Sequence, residues 1–282
     1  MFDYSNFGIR YFVIQDKIIF STHKVATRFL TKLTTKYDGR IVRNNTIELF
    51  KNKTSTLSDK KIYILNRNPI KKISSGLWNY FEDLFRNSSE DLNLTNPDIF
   101  YKFIYLTSEP HEPEINSKNN KLIDVFSPIE FLYICNEIIK FLNKNKLKFY
   151  EVLYTNTHLN TQQLSIFLLK EKFKSSKYID LDLLEKNTLV EELEISEHEL
   201  SQVYLSRTSQ KQTSILFDFV LKYLYTKDKD ILLNNIYSLY GTKSISIEKE
   251  KVLDTDDFNL LNYFIDNEMA IYNILNTNKL IF

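Results

Sequence analysis

The order of apolar and polar positions predicts strands and helices in alternation through the first part of the chain. Tyr11–Ile14 and Lys17–Ser21 are β-prone runs on either side of Gln15-Asp16, which predicts a hairpin or a bent strand. The second run leads into the polar stretch Ser21-Thr22-His23-Lys24. From Val25 to Tyr37 the apolar residues Val25, Phe29, Leu30 and Leu33 then follow at helical spacing. Ile47–Phe50 is a short strand candidate. Ile62–Leu65 is almost wholly apolar, as a strand covered on both faces would be. Arg67-Asn68-Pro69 ends it, and a proline in the first helical turn opens a helix predicted over Pro69 to Arg86. Strand, loop and helix repeated in this order argue for a parallel sheet.

Beyond residue 86 the pattern is less regular. Residues 87–121 form a polar excursion with Pro97, Pro110 and Pro113. Ser127 to Asn143 reads as a helix opened by Pro128, Phe149–Tyr154 as a strand, and Leu159 to Phe173 as a helix. Tyr178–Leu181 reads as a short strand and Leu183 to Leu193 as a helix, with Glu197–Leu200 a loop or turn. Residues 201–213 are polar and basic. Ser214 to Tyr225, Asp230 to Tyr240 and Phe258 to Leu275 complete a helical C-terminal part, about 201–282. No internal repeat or linker divides the chain, so one α/β domain over 1–282 is the expectation.

Composition narrows the function classes. Of 282 residues, 43% are hydrophobic and 14% aromatic, which excludes a wholly disordered chain. Lys and Arg number 37 against 36 Asp and Glu, so the global charge advertises no nucleic-acid partner. The single cysteine, Cys135, precludes an intrachain disulfide, and its apolar neighbours make it a buried small hydrophobe. Four glycines, Gly8, Gly39, Gly76 and Gly241, leave no GxGxxG and no GxxxxGK[ST], so an ordinary nucleotide-triphosphate loop is absent. The N-terminus has no signal-peptide pattern, and no apolar run reaches the roughly 18 residues of a membrane span. A cytoplasmic protein is expected.

Two stretches can carry chemistry. In Ser21-Thr22-His23-Lys24-Val25-Ala26-Thr27-Arg28 a strand ends, hydroxyls and cations follow, and a helix begins, an arrangement that suits a phosphate or sulfate. A capped surface helix with incidental lysines is the competing assignment. In Leu65-Asn66-Arg67-Asn68-Pro69 through Ser75-Gly76, Arg67 stands at the carboxyl end of a strand, where open parallel sheets bind ligands, and Ser75 follows two turns into the helix. A structural arginine is the alternative there.

Together these stretches resemble PAPS-dependent sulfotransferases, most closely the glycan (heparan-type) branch. Lys24-Val25-Ala26-Thr27-Arg28-Phe29-Leu30 is similar to that family's 5′-phosphosulfate loop, with Ala26 in place of the usual glycine. Ile64 through Ser75 is similar to its 3′-phosphate motif, with Asn68 for the motif's Asp and Lys72 for its second Arg. Usable similarity covers about residues 11–85. The resemblance implies a P-loop-like three-layer α/β/α fold with a central, mainly parallel sheet. It also implies sulfuryl transfer from PAPS to a hydroxyl or amine of an acceptor, a glycan by analogy, with no metal.

On this reading Lys24 neutralises the leaving nucleotide oxygen. Ser21, Thr22, His23, Val25, Ala26, Thr27 and Arg28 hold the donor's 5′ end, and Arg67 and Ser75 its 3′-phosphate. Glu48 is the first candidate base, His158 the second and His111 the third; a solvent-facing strand residue is the competing assignment for Glu48, and a structural or exposed histidine for the other two. Arg207, Lys211 and Lys243 are candidates for the nucleotide's outer side. A nucleotide-binding module without turnover and a kinase with a degenerate phosphate loop are the alternatives.

Overall fold

The computed structural model describes residues 9–22, 25–43, 60–87, 98–99, 125–156, 159, 162–183, 208–241 and 247–277. Five strands form one sheet: β1 (Ile9–Ile14), β2 (Lys17–Thr22), β3 (Arg40–Arg43), β4 (Lys61–Asn66) and β5 (Lys177–Asp180), in the order β3-β1-β2-β4-β5. The helices are α1 (Thr27–Lys36), α2 (Pro69–Asn87), α3 (Pro128–Lys144), α4 (Lys146–Thr155), α5 (Gln163–Lys172), α6 (Thr208–Thr226), α7 (Lys229–Tyr240) and α8 (Asn259–Asn276). Among the described residues no helix is long and apolar enough to cross a membrane.

The chain divides into two compact units. The first comprises Met1–Ile73, Tyr154–Ser206 and Phe264–Phe282, and the second Ser74–Leu153 and Arg207–Tyr263. The first holds the sheet. β1 and β2 pair antiparallel across the Gln15-Asp16 turn, from Ile14↔Lys17 to Ile9↔Thr22, and β3 pairs antiparallel to β1. β4 lies parallel to β2, with Phe20 opposite Ile64, and β5 lies parallel to β4, with Asn66 opposite Asp180. The sheet is therefore mixed, not mainly parallel as the strand–helix alternation predicts. The hairpin and the return strand β3 add antiparallel neighbours on one side of a three-strand parallel core.

Period-two alternation sorts the strand residues onto two faces. Phe12, Ile14, Ile19, Tyr63, Leu65 and Ile179 pack with Val25, Phe29, Leu30 and Leu33 from α1 and the turn before it. On the other face Ile9, Ile18, Phe20 and Ile64 pack with Ile166, Leu169 and Phe173 at α5 and Leu275 of α8. The Phe20 and Phe173 rings stack at 5.3 Å. Burying each such side chain contributes about 1.5–3 kcal/mol. Gly39 is required where the chain turns from α1 to β3, because a Cβ there would strike the Val13 carbonyl oxygen and come within 2.9 Å of the Thr34 side chain.

The second unit is helical. Ser127 and Glu130 form a reciprocal capping box at the start of α3. The unit's core includes the Phe81–Phe217 and Phe81–Phe141 ring contacts at 5.3 and 5.1 Å. Cys135 is fully buried in α3, and burial pushes its thiol pKa up, as expected of an inert small hydrophobe.

Phe149–Tyr154 is not a strand: it belongs to α4. The Phe149 N–H donates to the Asn145 carbonyl at 2.9 Å, and Phe149 and Leu153, four apart, share the buried face. A short run that is nearly all apolar fits a buried strand and a buried helix equally well, and here the end of α3 sets the helical choice. The helix expected from Leu159 begins only at Gln163, after Gln162 in the left-handed region at φ 60. Ile47–Phe50 and the segment after Leu183 lie outside the described residues.

Candidate functional site

β2, β4 and β5 run side by side in the same direction and end at Thr22, Asn66 and Asp180. Thr22 and Asn66 each stand two residues beyond the Phe20↔Ile64 pair. The turns that follow the two strands therefore emerge next to each other at the carboxyl edge of the sheet, where ligands of α/β sheets bind.

In the first turn the Val25 N–H donates to the Thr22 carbonyl at 3.2 Å. The Ser21 hydroxyl donates to the Val25 carbonyl, with a longer contact of 3.2 Å to the Thr22 carbonyl. Ser21 thus ties the loop to the residues that follow it. Thr22 is 1% exposed, and its Oγ1 has no hydrogen-bond partner among the described residues. Ala26 precedes α1 at φ 54, ψ 14, and no side chain caps this helix start. Thr27 opens the helix half-buried. His23 and Lys24 lie outside the described residues, as does the Arg28 side chain.

Ala26 thus adopts the left-handed conformation that glycine takes without strain. The loop keeps a glycine-type backbone while carrying a Cβ, which packs against the α1-side core. Ala26→Gly should stabilise the chain by about 0.5–1 kcal/mol, seen as a melting temperature higher by about 1–3 °C. An unchanged or lower melting temperature would show that the Cβ packing outweighs the strain.

The second turn is better defined. Asn68 caps α2, its Oδ1 accepting from the N–H groups of Ile70 and Lys71 at 3.0 and 3.3 Å. Asparagine does this as well as aspartate, so the Asn at this motif position keeps the helix start intact. The Asp182 carboxylate, just past β5, accepts from the Asn68 N–H at 2.7 Å and lies 3.2 Å from Lys71 Nζ and 3.7 Å from Arg67 Nε. Asp180 is held by Asn276 Nδ2 at 2.8 Å and by the Asp182 N–H at 2.9 Å. Burial and then Asp180 push the Tyr272 hydroxyl above the usual tyrosine range. Ser75 is half-buried on α2 within the second unit.

Beneath this turn lies a buried polar layer. Asn66 and Gln163 exchange two amide hydrogen bonds of 2.7 and 2.9 Å, and Asn66 also donates to the Tyr178 hydroxyl at 2.7 Å. Glu268 of α8 accepts from the Gln163 N–H at 2.9 Å, supplying the negative charge that the start of α5 favours. Lys72, 1% exposed, belongs to the same cluster. Burial brings its pKa down to about 7, Glu268 opposing that fall and Arg67 adding to it. Burial likewise raises the Glu268 carboxyl, against the Gln163 N–H and Lys72, which lower it.

Among the sequence candidates, the structure places Ser21, Thr22, Val25, Ala26 and Thr27 on the first turn and Arg67 on its neighbour. Glu48, His158, His111, Arg207 and Lys243 lie outside the described residues. Lys211 falls in α6, its side chain outside them. Sequence reasoning missed Gln163, Glu268 and the role of Asp182. Glu268 did leave a signal: it stands between Phe264 and Tyr272, four residues from each, on the apolar stripe of the last helix. Lys72 sits likewise four residues before Gly76 on the buried stripe of α2. A charge on an apolar stripe needs a partner.

No family model, curated protein or solved structure matches this chain.

Proposed function

We propose that the chain is a PAPS-dependent sulfotransferase, moving a sulfuryl group to a hydroxyl or amine of an acceptor such as a glycan. The observation that carries this reading is the parallel β2–β4 pairing, which brings two strand–turn–helix anion motifs alongside one another in the order that the resemblance requires. Helices on both faces of the sheet agree with a P-loop-like three-layer arrangement. The buried Thr22 hydroxyl, partnerless among the described residues, fits a loop that holds an anion.

PAPS supplies the sulfuryl group and a nucleotide leaving group. Within this scheme the first turn orients the donor's 5′ end through Thr22, Thr27 and backbone N–H groups. Arg67 holds the 3′-phosphate. Lys24 neutralises charge as it develops on the leaving oxygen. A base, Glu48 before His158 or His111, takes the acceptor's proton. A binding module without turnover is the second reading, favoured by the Asp182 carboxylate lying against Arg67.

The direct test is a thermal shift. Adenosine 3′,5′-bisphosphate at about 100 times its dissociation constant should stabilise the fold by about 2.7 kcal/mol. ATP, without a 3′-phosphate, should do much less at equal concentration. Equal shifts with both nucleotides would sink the 3′-phosphate assignment and favour a kinase-like nucleotide site.

A further inference from the structure

Four strands of the sheet run the same way. β1 is antiparallel to both β2 and β3, so β3 shares the direction of β2, as do β4 and β5. Each of these four strands begins on a cation: Arg40, Lys17, Lys61 and Lys177. Their starts line the amino edge of the sheet, opposite the edge that carries the two anion-type turns. Lys17 and Lys61 stand directly opposite one another on neighbouring strands, where like charges repel. The Asp16 carboxylate lies between them, 3.0 Å from Lys17 Nζ and 3.8 Å from Lys61 Nζ.

The helices bring further cations to this edge from both faces of the sheet. α1 ends on Lys36, and Tyr37-Asp38-Gly39 leads from it to β3. On the other face α5 ends on Lys172, and Lys174 follows before β5 begins. Lys60, just before β4, donates to the Gln15 carbonyl at 2.9 Å. Among the described residues the edge thus gathers eight cations, of which Lys36, Arg40, Lys61, Lys174 and Lys177 are exposed. The carboxylates carried by the same turns and helix ends are Asp16, Asp38 and Glu171, and Asp59 precedes Lys60 in the sequence. Even with every one of these ionised, eight against four is a local excess on a chain whose formal charge is only +1.

We propose that the amino edge of the sheet is a docking surface for an anionic lipid bilayer. The proposal is independent of the nucleotide and of sulfuryl transfer, which concern the opposite edge.

Three features support it. The first is placement. Cations in the last turns of α1 and α5 also answer the helix dipoles, which accounts for Lys36 and Lys172. A sheet has little net dipole, so no such field gathers cations at four strand starts. The second is shape. The charges come from the sheet and from helices packed on both of its faces, so they spread over an area instead of following a line. An area of charge matches a plane of headgroups better than it matches a single polyanionic chain.

The third is chemistry. Seven of the eight cations are lysines, compact charges on flexible stems. Such charges meet a fluid anionic surface without the fixed fork geometry that arginine brings to individual phosphates. No large exposed apolar side chain belongs to these strand starts or helix ends among the described residues, so the attraction is Coulombic. Docked by this edge, the unit that holds the sheet turns its carboxyl edge and the two turns there away from the lipid.

Cosedimentation of the full chain with lipid vesicles tests the proposal. At about 0.1 M salt the chain should sediment with phosphatidylcholine vesicles that contain about 30% phosphatidylserine, and not with phosphatidylcholine alone. Raising the salt to about 0.5 M should release it, because the charges are then screened. Each lysine removed from the edge should weaken partitioning about 5-fold, so K61Q/K177Q should bind about 25-fold more weakly. K36Q/K174Q should lose a similar factor, and it covers a failure of the first pair to fold. Adenosine 3′,5′-bisphosphate should shift the melting temperature of both variants as it shifts the parent's, which keeps the outcome separate from the nucleotide reading. Failure of the parent to sediment with the anionic vesicles would overturn the proposal, as would parental binding in a folded variant or binding that survives high salt. Capture of the parent by heparin or an oligonucleotide, with the vesicles left unbound, would overturn the lipid assignment and make the edge a site for a polyanionic chain.

Discussion

Replacing fully buried Lys72 together with half-buried Glu268, K72M/E268Q, should leave the chain as stable as its parent or more stable, by up to about 4 kcal/mol, although two charges are lost. Lys72 is fully buried, and desolvation dominates the shifts at both groups. Methionine keeps the apolar stem of lysine, and glutamine still accepts from the Gln163 N–H, so no donor is stranded. The single E268Q change tests the charges through pH. In the unfolded chain Lys72 holds its proton to its ordinary 10.5, whereas in the fold it loses it near 7, so the unfolded state binds more protons between these values. Stability due to Lys72 therefore rises with pH across that window. Glu268 acts oppositely. Its folded carboxyl keeps its proton above the ordinary 4.5, so its contribution falls as pH rises past that value.

At about pH 6 the parent's Lys72 is charged, and E268Q leaves it beside a neutral amide. Shedding that proton below its folded value costs on the order of 1 kcal/mol, which bounds the lysine part of the deficit. At about pH 9 Lys72 is already neutral in the parent, and E268Q then removes only a poorly solvated carboxylate. Melting curves at the two pH values should show a deficit at the lower one that vanishes or reverses at the higher. A deficit independent of pH would mean that the Gln163 hydrogen bond, and not charge, is what Glu268 contributes.

The second large effect is kinetic and rests on the proposed sulfuryl transfer. Lys24→Ala should lower turnover of PAPS by about 10²–10³-fold, the usual loss when one electrostatic stabiliser of a leaving oxygen is removed. Affinity for adenosine 3′,5′-bisphosphate should fall much less, because the charge on that oxygen is greatest in the transition state. Release of the bisphosphate from PAPS in the presence of an acceptor measures the first quantity, and calorimetry the second. Parental turnover in Lys24→Ala would remove this mechanism.

The parts of the fold that were legible in the sequence are those with long, consistent patterns. β4 is four apolar residues closed by Asn66-Arg67-Asn68-Pro69, and both its end and the start of α2 follow from that punctuation. α1 follows from Phe29, Leu30 and Leu33. β3 did not show, because Arg-Ile-Val-Arg is too short to display a period, and its partner is a strand some thirty residues earlier. α4 failed for the opposite reason: Phe149-Tyr150-Glu151-Val152-Leu153-Tyr154 is apolar at every position but Glu151, so the run fits a strand as well as a helix. The two turns of the candidate site were legible as local motifs. Their supports were not: Asn66 meets Gln163 across 97 positions, and Asp182 meets Asn68 across 114. Polar partners so far apart leave no periodic trace, and only the tertiary fold pairs them.

The outer strands of the sheet bear on how the chain behaves while it is being made. Among the described residues the sheet ends in β3 on one side and β5 on the other, each four residues long. Arginine stands at both ends of β3, and β5 begins with Lys177 and closes with Asp180. A strand from another molecule aligning with either margin would gain few backbone hydrogen bonds and would bring its own residues against fixed charges. Short, charge-bracketed margins of this kind discourage edge-to-edge growth into aggregates. The apolar runs that would be most adhesive, Ile18-Ile19-Phe20 and Ile62-Tyr63-Ile64-Leu65, lie on the interior strands, shielded on both sides once the sheet has formed.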